Sequence, residues 1–119
     1  MLQGYIIFAV AKQNTMEVYF KQEYLWSLYT TGDADKKHRF QPQIIRKYIR
    51  IVSLMMELND TTELSRYNSL NYERLRGNKE GLSSVRVNDQ YRIEFEEHIK
   101  NGEMLATICN ITELSNHYK

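Results

Sequence analysis

Glu73, Arg76, Arg86, Arg92, His117 and Tyr118 are the side chains of this sequence whose chemistries complement one another. Cutting RNA without a metal needs a base for the ribose 2′-OH, cations for the charge that develops on the phosphorane, and an acid for the departing 5′-oxygen. Imidazole titrates near neutral pH and can fill either proton-transfer role. The same six residues also describe a surface that binds phosphate and leaves it intact, and the two readings stand side by side at this point. A metal site or cofactor is not expected, because His38, His98 and His117 are scattered and no acidic cluster has ligand spacing. Neither a Walker phosphate loop nor a G-x-S-x-G run occurs.

The elements that must hold these residues lie between Leu70 and Phe95. Arg74-Leu75-Arg76-Gly77-Asn78-Lys79-Glu80-Gly81 reads as a loop, and strands flank Asn88-Asp89-Gln90. With those three residues as the turn, Val87 pairs with Tyr91 and Val85 with Ile93 on one apolar face. Arg86 and Arg92 then meet on the other face. Like charges in direct opposition destabilise a sheet, so an anion or a carboxylate is expected between them, with Glu73 or the C-terminal carboxylate as the internal candidates.

Around this hairpin the chain supplies one domain. It has 119 residues, 42% of them hydrophobic, which is enough for one core. A net charge of +1 conceals a segregation: Lys36, Lys37, Arg39, Arg46, Lys47 and Arg50 form a stretch without acids, whereas Glu94 to Glu113 carries five acids against Lys100. Local fields steer a polyanion, so a nearly neutral chain can still present a basic face. Cys109 is the sole cysteine and sits between isoleucines, which suits a buried apolar residue in a reducing cytoplasm. Residues 1–15 are apolar but too short for a membrane span and lack the features of a secretory signal. They read as an N-terminal extension ahead of a natural start at Met16, with one domain over 16–119.

Val18 and Phe20 alternate with polar neighbours as a short strand. Gln22 to Tyr29 follows as a helix with Tyr24, Leu25, Leu28 and Tyr29 on one face and Trp26 off it. Pro42 opens a long helix to about Leu58, with Ile45, Tyr48, Ile49, Val52, Met55 and Met56 as its apolar stripe and Arg46, Lys47 and Arg50 outside. Thr61 or Thr62 is expected to cap a short helix over Glu63 to Tyr67. Met104 to Leu114 reads as a central strand whose inward face cannot be assigned. His38 and His98 are expected at the surface.

The runs Leu75-Arg76-Gly77 and Ser84-Val85-Arg86-Val87-Asn88-Asp89-Gln90-Tyr91-Arg92-Ile93-x-Phe95 resemble the signature of the HigB toxins of the RelE/ParE superfamily. Asn116-His117-Tyr118 is similar to their terminal Asp-Tyr-His. The resemblance implies an α+β RelE-like fold, with N-terminal helices packed on a small twisted, mainly antiparallel sheet. It also implies a type II toxin that cuts mRNA in the ribosomal A site, without a metal, and is silenced by a helix-turn-helix antitoxin of the HigA type. Carried over by position, Arg76 and Arg92 match the family's basic residues and His117 its terminal histidine. Glu73 stands where the family has a second histidine, and Tyr118 is the remaining catalytic candidate. Arg86, Arg74, Lys79, Lys36, Lys37, Arg39, Arg46 and Arg50 are the expected RNA contacts. A gyrase-poisoning toxin of the ParE kind and an inactive RNA- or protein-binding module are the alternatives.

Overall fold

The structure is a computed structural model that describes residues 5–8 and 15–116. Its centre is a six-stranded sheet in the order β1-β2-β6-β5-β4-β3, where β1 is Tyr5–Phe8, β2 Glu17–Phe20, β3 Glu73–Arg74, β4 Leu82–Arg86, β5 Tyr91–His98 and β6 Ile108–Asn116. All pairings are antiparallel except β2 with β6, which run parallel from Glu17 opposite Ile108 to Phe20 opposite Ile111. Helices α1, Glu23–Thr31, and α2, Pro42–Glu57, pack on one face of this sheet and on each other. The α+β class is the one expected, as is the succession β2, α1, α2, β4, β5 and β6, whereas β1 in the N-terminal extension and β3, which takes Arg74 out of the expected loop, were not foreseen.

Period-2 burial on β2 places Met16, Val18 and Phe20 inside, with Glu17 and Tyr19 turned away. The inner faces of the neighbouring strands add Cys109, Ile111 and Leu114 from β6, Ile93 and Phe95 from β5, and Val85 from β4. On β6 the spacing changes because Glu94 pairs with Glu113 while Phe95 pairs with Ile111, so Thr112 is an extra residue in the ladder. That bulge switches the inward parity from odd to even positions. It is the physical reason why no single face could be assigned from sequence.

Several boundaries move. α1 runs two residues further than expected, to Thr31, where Gly32 with its left-handed φ of 79° ends it by an N–H bond to the Leu28 carbonyl. Tyr29 is only half-buried, its ring stacked on Phe20, and Trp26 meets Phe20 edge-on at 5.8 Å. On α2 the buried residues are Ile44, Tyr48, Ile51, Val52, Met55 and Met56, so the stripe is rotated from the expected one and Ile45 and Ile49 form its margin. The short helix is a 3-10 turn over Thr61–Arg66, capped by Asp60, which accepts from the Thr62 N–H at 2.8 Å. The last strand starts at Ile108, four residues late, because Met104 and Leu105 are exposed in the preceding loop.

Tyr24 links α1 to the end of β6. Past Ile111, where β2 has ended, the Leu114 N–H donates to the Tyr24 hydroxyl at 3.2 Å. Tyr24→Phe is expected to cost about 1–3 kcal/mol, because it strands a buried donor, and to speed hydrogen exchange at Leu114. Exchange at the wild-type rate would show that the phenol does not hold this strand.

Candidate functional site

The β4–β5 hairpin has the expected register. Val85 stands opposite Ile93 and Arg86 opposite Arg92, and the Val87 N–H closes the turn on the Tyr91 carbonyl at 2.9 Å. Of the two internal partners expected for these arginines, the C-terminal carboxylate lies outside the described residues. Arg86 pairs with Asp89 in the turn itself, while Arg92, 7% exposed, donates through Nη1 to the carbonyls of Asn88 at 2.6 Å and Tyr91 at 3.1 Å. Glu73 is exposed on β3 and makes no ion pair among the described residues with either arginine. The turn thus offers its own carboxylate to Arg86 and its own carbonyls to Arg92.

The register also gathers the polar face. One row across the sheet runs Arg86, Arg92 and Ser115, and the next runs Glu73, Ser84, Glu94 and Glu113. Beside them a cleft of about 360 Å³ is lined by Leu75, Arg76, Asn78, Lys79, Ser115 and Asn116. Arg76 therefore stands across this cleft from the end of β6, as a phosphate site would require. His117 and Tyr118 follow Asn116 in the chain and lie outside the described residues. Lys79 is bound to Glu94 at 2.7 Å, and that hydrogen bond raises its ammonium above the ordinary lysine range. Glu94, buried at 2% exposure, was not among the expected site residues. Its place two residues after Arg92 on a strand was the available signal.

Other expected contacts lie elsewhere. Arg74 points from the opposite side of β3, toward Glu97 at 3.7 Å. There Tyr72 and Ser83 both donate to the same Glu97 oxygen, and burial followed by the Glu97 bond raises the Tyr72 phenol. Arg46 and Arg50 are exposed on α2, across the sheet from Arg92. Lys36, Lys37 and Arg39 occupy the loop between the helices. His38 in that loop is not simply solvated: its ring stacks on Tyr24 at 3.6 Å and its Nδ1 meets Asp35 at 2.7 Å. Phe40 then touches Tyr91 edge-on at 5.7 Å, which ties the loop to the root of the hairpin. His98 is half-buried against Glu96. Cys109 is fully buried, and burial pushes its thiol well above the ordinary range, so it is an inert core residue.

At the far end of the polar face acids and bases pair closely. Burial by itself would raise Glu17 and Glu96, but hydrogen bonds from Lys100 and Tyr19 to the first, and from His98, Asn110 and Lys21 to the second, hold both below the ordinary glutamate range. A depressed native pKa adds stability that is present above the unfolded value and lost as pH falls through the native one. The urea midpoint is therefore expected to drop between about pH 5 and pH 3, and the drop should shrink in Lys21→Met/Lys100→Met. An acid limb of equal depth in that double variant would contradict this.

Fold and face together define a small α+β protein with an arginine-bearing hairpin at one end of its sheet. The family model of the RelE-like toxin of the type II toxin-antitoxin system HigB matches residues 18–110. The chain belongs to this family of HigB-like toxins. Membership implies a protein antitoxin as partner. The matched span includes Arg76, Arg86 and Arg92, and Ser115 to Tyr118 lie beyond it. No curated protein matches the chain. Among the described residues no helix is long and apolar enough to cross a membrane, and no three His, Cys, Asp or Glu side chains could hold a metal ion.

Proposed function

We propose that this toxin is a ribosome-dependent mRNA endoribonuclease that stops translation in the cytoplasm until a HigA-like antitoxin covers it. The observation that supports this reading is the juxtaposition of Arg86 and Arg92 with Ser115, beside a cleft lined by Arg76, at the end of the strand that leads into His117 and Tyr118. The 2′-oxygen attacks the adjacent phosphorus, the 5′-oxygen leaves, and a cyclic phosphate remains. Arg76 and Arg92 are the cations for the phosphorane. His117 with Tyr118, or Glu73 from β3, moves the protons. Orientation of the message by the ribosome adds several kcal/mol of rate that the protein need not supply.

Purified toxin, programmed ribosomes and excess chelator test this. Discrete cuts with cyclic phosphate ends, lost in His117→Ala and in Arg92→Ala, support it. Intact mRNA with trapped gyrase complexes would falsify it in favour of a ParE-like toxin, and neither effect leaves a binding module.

The basic loop extends the same reading to ribosomal RNA. Reversing Lys36, Lys37 and Arg39 together to Glu is expected to weaken ribosome association at low salt. It should also flatten the salt dependence by about 0.7–0.9 of slope for each phosphate that the loop no longer neutralises. Unchanged affinity at low salt removes the loop from the interface. Residues 16–119 are taken as the toxin domain, with β1 as an added edge strand from residues 1–15. A chain that starts at Met16 is expected to fold and to cut.

A further inference from the structure

Lys79 and Glu94 meet behind the arginine row. Glu94 lies two residues from Arg92 on β5, so their side chains share a face. Its carboxylate is 2% exposed, and one oxygen accepts from the Lys79 ammonium at 2.7 Å. Across the ladder it faces Glu113 on β6, with Ser84 on its other side and Glu73 beyond. An anionic row thus runs next to the cationic one, and two of its acids oppose each other directly, which is unfavourable. Lys79 comes from the 3-10 turn Gly77–Lys79, reaches over this row and also lines the cleft with Arg76 and Ser115.

We infer that Lys79 acts as a charge cover: it neutralises Glu94, the acid of this row nearest Arg92 along β5, so that this carboxylate does not oppose the phosphate held by Arg76, Arg86 and Arg92, and it is not itself a phosphate ligand. The inference rests on reading the cleft as a phosphate site. A buried carboxylate stripped of the cation bound to it is strongly unfavourable. Lys79 therefore cannot swing to a substrate phosphate without uncovering Glu94, and the two uses of its charge exclude each other. Arg76, by contrast, is exposed on the cleft wall and free to turn toward an incoming anion.

The distinguishing measurement is calorimetric binding of inorganic pyrophosphate, a probe that needs neither RNA nor catalysis. Lys79→Met is expected to weaken binding roughly tenfold, and Lys79→Met/Glu94→Gln to return within about twofold of wild type. A double variant as weak as Lys79→Met makes Lys79 a direct ligand and overturns the inference. Should Lys79→Met fail to fold, the double variant alone decides: binding within about twofold of wild type supports the cover, and binding roughly tenfold weaker makes Lys79 a direct ligand and overturns it. Wild type that binds no pyrophosphate also overturns it. The ribosome assay is read separately: pyrophosphate binding together with intact mRNA sinks the proposed reaction, while the variant series still settles the role of Lys79.

Discussion

Arg92→Ala is expected to lower mRNA cutting by about 10²-fold or more and to cost about 3 kcal/mol of stability. Both losses come from one guanidinium. It is buried, it donates to two carbonyls of the turn that it follows, and it lies beside Arg86 on the row that ends at Ser115. Hydrogen bonds from a charged donor contribute roughly 1.5–3 kcal/mol each, and alanine leaves both carbonyls without this donor. Arg92→Lys separates the two roles, since it keeps the charge and loses the fork. Urea unfolding and cutting measured on equal amounts of folded protein provide the check. If the folded fraction of Arg92→Ala cuts at the wild-type rate, the residue is a turn anchor and nothing more.

Phe20→Ala is expected to remove about 3–5 kcal/mol, a large part of the 5–15 kcal/mol typical of a domain. Phe20 is fully buried where β2 turns into α1, paired with Ile111, with Trp26 and Tyr29 against its ring. Truncation opens a cavity at the junction of sheet and helix. The effect should reach the site, because α1 carries the Tyr24 hydroxyl that holds Leu114, one residue before Ser115. Phe20→Leu keeps most of the volume and should cost less than about 1.5 kcal/mol. Similar denaturation midpoints for the two variants would mean that this junction is not tightly packed.

The parts of the molecule readable in the sequence are those with local rules. A three-residue turn between alternating strands fixes the Arg86–Arg92 pairing, and Pro42 with a 3.6-residue period fixes α2. What escaped depends on residues far apart in the chain. The centre of the α2 stripe was displaced because Ile44 and Ile45 satisfy neighbouring helical faces equally, and only the sheet chooses Ile44. The Thr112 bulge has no signature of its own. Asp89 was read as a turn former, although the same side chain also answers Arg86. Glu94 and Glu97 are charges that a patterning rule assigns to solvent, yet the first is buried and the second partly so because a partner, Lys79 or the Tyr72–Ser83 pair, comes from another segment. Arg76, Arg86 and Arg92 were legible by type and spacing, but their separation from Arg46, Arg50 and Arg74 required the sheet's two sides.

The parallel pairing of β2 with β6 sets the order in which the protein can be assembled. Glu17 finds its partner only at Ile108, so the middle of the sheet is closed by the last strand of the chain order. The entropy of closing so long a loop has to be met before the contacts that reward it exist, which places this domain among slow folders for its size. Until β6 is seated, the arginine hairpin can form but Ser115 is not beside it. On the proposed function the cleft is therefore completed late in folding, and an antitoxin that grips the chain before that step has only to prevent a docking event.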